Sequence, residues 1–377
     1  MSGVLEVRAV ANRRDLDRFI KFPWRIYEND PVWVAPLLGD VRRALDPVKH
    51  PFHQHADVAC FLAWRGPDVV GRIAAIVNRR HNDFYHDTTG FFGLFESVDD
   101  QTVANALLSQ AEAWLRERGC TTCRGPMNFS TNDELCSPGV LVDGFDTPPM
   151  VMMAHTPPYY ARLLEAAGYR KEKDLYAYWV NGETTPDRLK QALERLRRNE
   201  AIEIRTINLK DFDREVARVK QIYNSAWERN WGFVPMTDAE FDFMAKQLRP
   251  IVEPRFVLIG EVKGEPVAFA IELPDLNQAF KHMNGRLFPI GLFKFLWYRR
   301  KIDRVRVLTL GVVSAYRGRG IDGLLIGRIL EAAQPLGMAK GECSWILEDN
   351  IPMRKGLDRV GGRIYKTYRV YEKPLTP

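Results

Sequence analysis

A faint internal repeat constrains this chain more than any other feature, because self-similarity at a long period means that one architecture is built twice. Residues 15–36 read DLDRFIKFPWRIYENDPVWVAP, and residues 211–235 read DFDREVARVKQIYNSAWERNWGFVP. Both open on Asp-x-Asp-Arg, carry Ile-Tyr at the same offset (Ile26-Tyr27 and Ile222-Tyr223), and close on Trp followed by Pro. A hairpin pattern follows each: Val58–Trp64, a turn at 66–68 and Val69–Val77 in the first, Phe256–Val262, a turn at 263–265 and Pro266–Leu273 in the second. The order then runs in parallel. The first half gives a strand at Gly90–Glu96, a helix at Gln101–Arg118, a strand near Cys123–Phe129, a short helix at Pro157–Ala167 and a strand at Lys173–Val180. The second gives Arg304–Val313, Ile321–Leu336, Gly341–Leu347, Ile351–Val360 and Arg363–Tyr371. An α/β chain with a mixed sheet in each of two tandem halves is the expectation. The expected domains are 1–180 and 201–377, joined through a polar helix over 181–200 that Thr184-Thr185-Pro186 would open.

Composition narrows the class of partner. The formal net charge of +6, from 54 basic and 48 acidic residues, suits an anionic small molecule and shows no basic stripe of the kind nucleic acid requires. No apolar run reaches 18 residues, and no basic segment followed by an apolar one opens the chain, so neither a membrane span nor a secretory signal is expected. Five cysteines, an odd number in a chain this long, do not make a disulfide framework. A reduced, cytoplasmic protein is the expectation.

The strongest local signal runs from Leu308 to Leu325. An apolar strand ends in Arg317-Gly318-Arg319-Gly320, and a helix starts at once with Ile321, Leu324, Leu325 and Ile329 at helical spacing. Such a glycine-rich loop exposes backbone N–H groups at a helix N-terminus, where the dipole favours a diphosphate. The Lys-Ser/Thr ending of a P-loop is missing, and the spacing is not that of a Rossmann turn.

This segment resembles the pyrophosphate loop of the GNAT acyltransferases, with Arg317, Gly318, Arg319, Gly320 and Ile321 on the first five positions of Arg/Gln-x-x-Gly-x-Gly/Ala. Asn350, after the strand ending Trp345-Ile-Leu-Glu-Asp, resembles the family's CoA-contacting Asn, and Gly361-Gly362 the glycine closing the next helix. The resemblance implies acetyl-CoA or another acyl-CoA as co-substrate. It also implies a strand that splays from its neighbour, with backbone amides near Gly311, Val312 and Val313 holding the thioester carbonyl. It covers residues 201–377 well and 5–180 in element order only. The first half has the acidic Glu96-Ser-Val-Asp-Asp-Gln101 where the loop should be, so that half reads as degenerate.

Two residues depart from the pattern. Asp322 stands at the sixth loop position, where a carboxylate aimed at the diphosphate would cost roughly 4 kcal/mol at about 4 Å and an effective dielectric near 20. Aimed outward it would serve as an N-terminal helix acid. Leu357 stands where many members carry a Tyr general acid; thiolate is a tolerable leaving group, so its loss does not exclude catalysis. A base for an amine nucleophile could come from Glu272, Asp275, Glu348 or Asp349.

Other constellations read as structural. His50, His53 and His55 lie about Pro51 without a cysteine at ligand spacing, which fits a solvated loop and no metal site. Cys120-Thr-Thr-Cys123 lacks a thioredoxin-like context and reads as packing. The polar segment 128–150 is long enough to shape a substrate pocket or to be a structural insertion. The insertion 286–300, RLFPIGLFKFLWYRR, could pack on the core, line an acyl tunnel or touch a membrane surface, with core packing the leading expectation. Transfer of an acetyl or other acyl group from acyl-CoA to an amine of a small molecule or peptide is the expected reaction. A non-catalytic CoA-sensing or scaffolding module and a FemX-like aminoacyl transferase stand as alternatives.

Overall fold

The computed structural model describes residues 3–133, 138–184, 191, 194–195, 202–227 and 230–375. Most of the connecting helix expected over 181–200 lies outside the described residues. The chain divides into two compact units, one made of Met1–Leu175, Phe280–Phe295 and Lys366–Pro377, the other of Tyr176–Ala279 and Leu296–Tyr365.

The first unit is built on β1 (Leu5–Ala9), β2 (Ala56–Arg65), β3 (Asp68–Asn78), β4 (Thr89–Ser97) and β5 (Thr122–Gly125), in that spatial order. Every neighbouring pair is antiparallel except β4–β5, which is parallel. Gly66, at φ +60°, supplies the left-handed residue of the β2–β3 turn. Helices α1 (Arg13–Lys21), α2 (Pro23–Ile26), α3 (Leu38–Ala44) and α4 (Arg79–Tyr85) lie in the connections. Helix α5 (Gln101–Arg116) is capped by Asp100, whose carboxylate accepts from Thr102 N at 2.8 Å. Its Val103, Leu107, Leu108, Ala111 and Leu115 recur at helical spacing and are buried with Ile73 and Phe92 of the sheet. A short strand β6 (Val140–Asp143), α6 (Tyr159–Ala166) and β7 (Arg170–Asn181) follow.

The second unit repeats the order as β8 (Ile202–Thr206), β9 (Val257–Val262), β10 (Glu265–Pro274), β11 (Arg304–Val312) and β12 (Lys340–Leu347). Again all pairs are antiparallel except the last, β11–β12. Helix α7 (Phe212–Ala226) buries Val219 and Ile222 against Ile259 and Phe269. Helix α8 (Asp238–Leu248) starts from a capping box between Thr237 and Glu240. The expected repeat is thus present in the strand pairing itself, down to the single parallel step.

Helices α9 (Asn277–Phe280) and α10 (Gly291–Tyr298) belong to the insertion between β10 and β11; α11 (Ile321–Ala333) and α12 (Ile351–Arg359) complete the second half of the sequence. The last strand, β13 (Arg363–Pro374), has its Tyr371–Pro374 portion antiparallel to β5 and its Thr367–Arg369 portion against β6, within the first unit. Lys366 is fully buried there and donates to the carbonyls of Gly144 and, at 2.8 Å, Thr147. A buried ammonium needs such acceptors, and they tie down the described part of the 128–150 segment.

Candidate active site

The site in the second unit begins with a register that stops. β11 pairs with β12 only over Arg304–Val307 against Lys340–Cys343, while against β10 it stays paired as far as Val312, opposite Ala268. Beyond Val307, therefore, β11 keeps one neighbour and leaves the other. Val313 N donates to Val267 O at 2.9 Å. Because strand amides alternate in direction, the N–H groups of Val313, Gly311 and Thr309 face β10, and those of Val312 and Leu310 face the side from which β12 has departed. Of the three amides expected from sequence, Val312 faces that side; Leu310, which sequence reasoning missed, joins it. Gly311 has a different duty. A Cβ on it would sit 2.2 Å from the Trp227 ring, so the glycine lets Trp227 come up against the strand beside Tyr223 and Phe269.

The loop follows directly. Gly318 and Gly320 have φ +74° and +80°, conformations that a side chain would strain. Gly320 is the N-cap of α11 and offers no side-chain cap, which leaves the first-turn amides of the helix to an outside acceptor. The Arg317 side chain donates to Val312 O at 3.2 Å and to Ala226 O, so it clamps the end of β11 to the end of α7. Arg319 lies over the Tyr316 ring, 4.9 Å from its centroid. Asp322 sits exposed in the first turn of α11. Ile321, Leu325 and Ile329 anchor the helix on Leu258, Ala268 and Ala270.

The four candidate carboxylates separate in space. Asp275 lies at the closed end of the strand pair, where its N–H donates to Arg304 O. Glu348 and Asp349 follow the C-terminal end of β12, which, being parallel to β11, is the end that carries the loop. Asn350 beside them caps α12, its side chain accepting from Met353 N at 3.3 Å. Glu272 is the unusual one. It pairs with Val307, which pairs with Cys343, so it stands on the last rung before the strands diverge. It is 1% exposed, its Oε2 has no hydrogen-bond partner among the described residues, and burial pushes its pKa up to about 8. Leu357 is buried beside Tyr178, Ile346 and Val360 and can supply no proton.

The first unit has the same divergence, filled by its own chain. β4 and β5 pair only over Thr89–Phe91 against Thr122–Arg124. Past that point Met127 N donates to Phe92 O at 2.7 Å, and Leu94 N donates to the Asn128 side chain at 2.7 Å. A Cβ on Gly93 would meet Met127 O at 2.2 Å. Glu96, at the head of the acidic loop, is partly buried and accepts from Tyr27 at 3.0 Å and Tyr160 at 2.7 Å, with Arg72 at 3.5 Å. The expectation of a solvated histidine loop fails here. His50 is buried with Nε2 3.1 Å from Asp133, His53 meets Ala44 O at 2.9 Å, and His55 meets Asn78 at 3.2 Å. Cys120 and Cys123 are buried thiols raised to about 11 and about 12 by desolvation, inert packing as expected. Asp30 and His155, paired at 2.7 Å with the ring Nδ1 buried and without a partner among the described residues, are 125 residues apart and carry no local signal in sequence.

No family model matches the sequence. The chain is 39% identical to "Bacterial ceramide synthase" of Caulobacter vibrioides over 98% of both chains. It is 38% identical to "Protein YghO" of Escherichia coli over 98% of this chain and 95% of the relative. The chain belongs to their family. Among solved structures, a tandem GNAT protein from the clavulanic acid biosynthesis pathway superposes with TM-score 0.59 over 99% of both chains at 13% identity. The family's fold is therefore a tandem GNAT fold, and the mixed sheets described above are its two halves.

Proposed function

We propose that the second unit transfers an acyl group from acyl-CoA to an amine, and that the Glu272 carboxylate is its base. The observation that carries the reading is the unpartnered, buried Glu272 oxygen on the last rung before β11 and β12 part. The diphosphate of the donor would rest on the amides of Gly318, Gly320, Ile321 and Asp322, with Arg319 adding charge. Its thioester would enter between the strands, where the Leu310 and Val312 amides offer donors to the carbonyl oxygen. Attack by the neutral amine forms the new C–N bond and moves charge onto that oxygen, and preorganised amides stabilise it. Glu272, two residues along β10 from Ala270, the partner of Leu310, takes the amine proton through an intervening water. Collapse breaks the C–S bond and releases CoA thiolate, whose conjugate acid near pKa 8.5 needs no enzymatic acid. Leu357 in place of a tyrosine is compatible with this sequence of events.

The relative's name supports an amphiphilic acceptor, since a ceramide is an amino alcohol bearing an N-acyl chain. On that support we assign the acceptor to the long-chain amino alcohols and the donor to long-chain acyl-CoA rather than acetyl-CoA. The test is thiol release from acyl-CoA of graded chain length with sphinganine as acceptor, measured across pH. The rate should rise with pH to a plateau above about 8, as Glu272 loses its proton. Glu272→Gln should lower the rate throughout and leave only the rise that comes from deprotonation of the acceptor amine. Donor binding without any acyl transfer would instead mark the unit as a CoA-sensing module.

A further inference from the structure

Among the described residues ten large apolar side chains are exposed, and five of them crowd into one stretch: Phe288, Ile290, Phe293, Leu296 and Trp297. This is the insertion between β10 and β11, for which core packing was the leading expectation, and that expectation fails for its largest members. Phe288 and Phe293 are 70% and 73% exposed, and Trp297 is 61% exposed. In α10 Phe293 and Trp297 stand at helical spacing, with Ile290 just before the helix, and all three are exposed. The opposite stripe does the anchoring: Gly291 is buried and Phe295 stacks on Phe280 at 5.8 Å. The base of the segment is fixed as well, with Trp24 donating to Asn284 at 2.6 Å and Leu38 N to Gly285 O at 3.0 Å.

Charge identifies what such a face meets. From Leu276 to Ile302 there is no Asp or Glu, while Lys281, Arg286, Lys294, Arg299, Arg300 and Lys301 give the stretch a charge of +6. That equals the formal net charge of the whole chain, so the remainder is neutral overall. A second copy docking through the same face would set six positive charges against six, which like-charge repulsion opposes. An anionic bilayer satisfies both properties at once. Aromatic and aliphatic side chains enter the interface, and long basic side chains lie along them with their heads at the phosphates. Lys301 already rests over Trp297 and Tyr298, with its ammonium 5.5 and 5.4 Å from the ring centroids.

We propose that residues 286–301 form a docking surface for an anionic lipid bilayer, into which Phe288, Phe293 and Trp297 insert. The test is co-sedimentation of the full chain with vesicles of equal parts phosphatidylglycerol and phosphatidylcholine, beside vesicles of phosphatidylcholine alone. The wild type should bind the mixed vesicles, lose binding as salt rises, and bind the neutral ones far more weakly. Phe293→Ser with Trp297→Ser should weaken partition at least about tenfold. Arg299→Gln, Arg300→Gln and Lys301→Gln together should cost about fivefold per charge. Because these side chains are exposed, unchanged thermal midpoints should accompany both variants. Absence of wild-type binding to the mixed vesicles, or binding unaltered by the Phe293/Trp297 pair, overturns the proposal. A wild-type dimer that the same pair dissociates gives the face to a second copy and overturns it too. Vesicle binding is read without any acyl transfer, so docking and catalysis fail separately.

Discussion

The two parallel strand pairs of this molecule start alike and end differently. In both units the register of the parallel pair lasts three or four residues and then stops. In the first, Met127 and Asn128 turn back onto β4 and take up Phe92 O and Leu94 N. In the second, β11 runs on with Leu310 and Val312 facing the vacated side, and a glycine-rich turn receives the chain at its end. The same contrast holds for a carboxylate in each unit. Glu96 is surrounded by two tyrosine hydroxyls and Arg72, whereas one oxygen of Glu272 has no partner among the described residues. A divergence is thus a property of the fold, and what the chain puts into it decides whether it can take a substrate.

Substitutions can break this contrast from either side. The largest effect is expected at Glu272, where Glu272→Gln should lower kcat about a hundredfold or more. The same change should raise stability in alkali. The folded pKa of Glu272 is raised from 4.5 to about 8, so the stability its carboxyl contributes is fully present below about 4.5 and is lost as pH rises through about 8. Above that the buried charge costs roughly 2–5 kcal/mol, part of which the amide should recover; melting curves at acid and alkaline pH would show the gain only in the latter.

Arg317→Ala comes next. It frees Val312 O and Ala226 O, and should weaken acyl-CoA binding about tenfold and cost roughly 1–2 kcal/mol, read by titration and denaturant midpoint. In the first unit, Asn128→Ala leaves Leu94 N without its acceptor; it should cost roughly 1–3 kcal/mol in stability while kcat stays unchanged. The smallest effect belongs to Asp322→Asn. Since the carboxylate is exposed, donor KM should change by no more than about threefold, partly offset by the loss of a first-turn acid.

What could be read in advance follows the range of the interactions involved. The hairpins, the Gly318–Gly320 turn and α11 were legible because alternation, turn residues and helical spacing are local. Helix α8 also carries a local sign, the Thr237-x-x-Glu240 box. The pairing of β13 with β5 joins residues more than 240 positions apart, and no local pattern encodes it. His50 looked solvated because Asp133, its partner, lies 83 residues downstream. Among the site residues, the glycine-rich loop is plain in the sequence, whereas the proposal of Glu272 over Asp275, Glu348 and Asp349 rests on the register of three strands. The insertion shows the converse limit: hydrophobicity marks Phe293 and Trp297 as sticky without telling which side they face.

Calorimetric titration with a long-chain acyl-CoA puts the contrast between the halves to its most direct test, because it counts sites without requiring the acceptor. One site per chain is predicted, weakened about tenfold in Arg317→Ala and retained in Asn128→Ala. Two sites per chain, no site in the wild type, or a site lost in a folded Asn128→Ala variant would contradict the account.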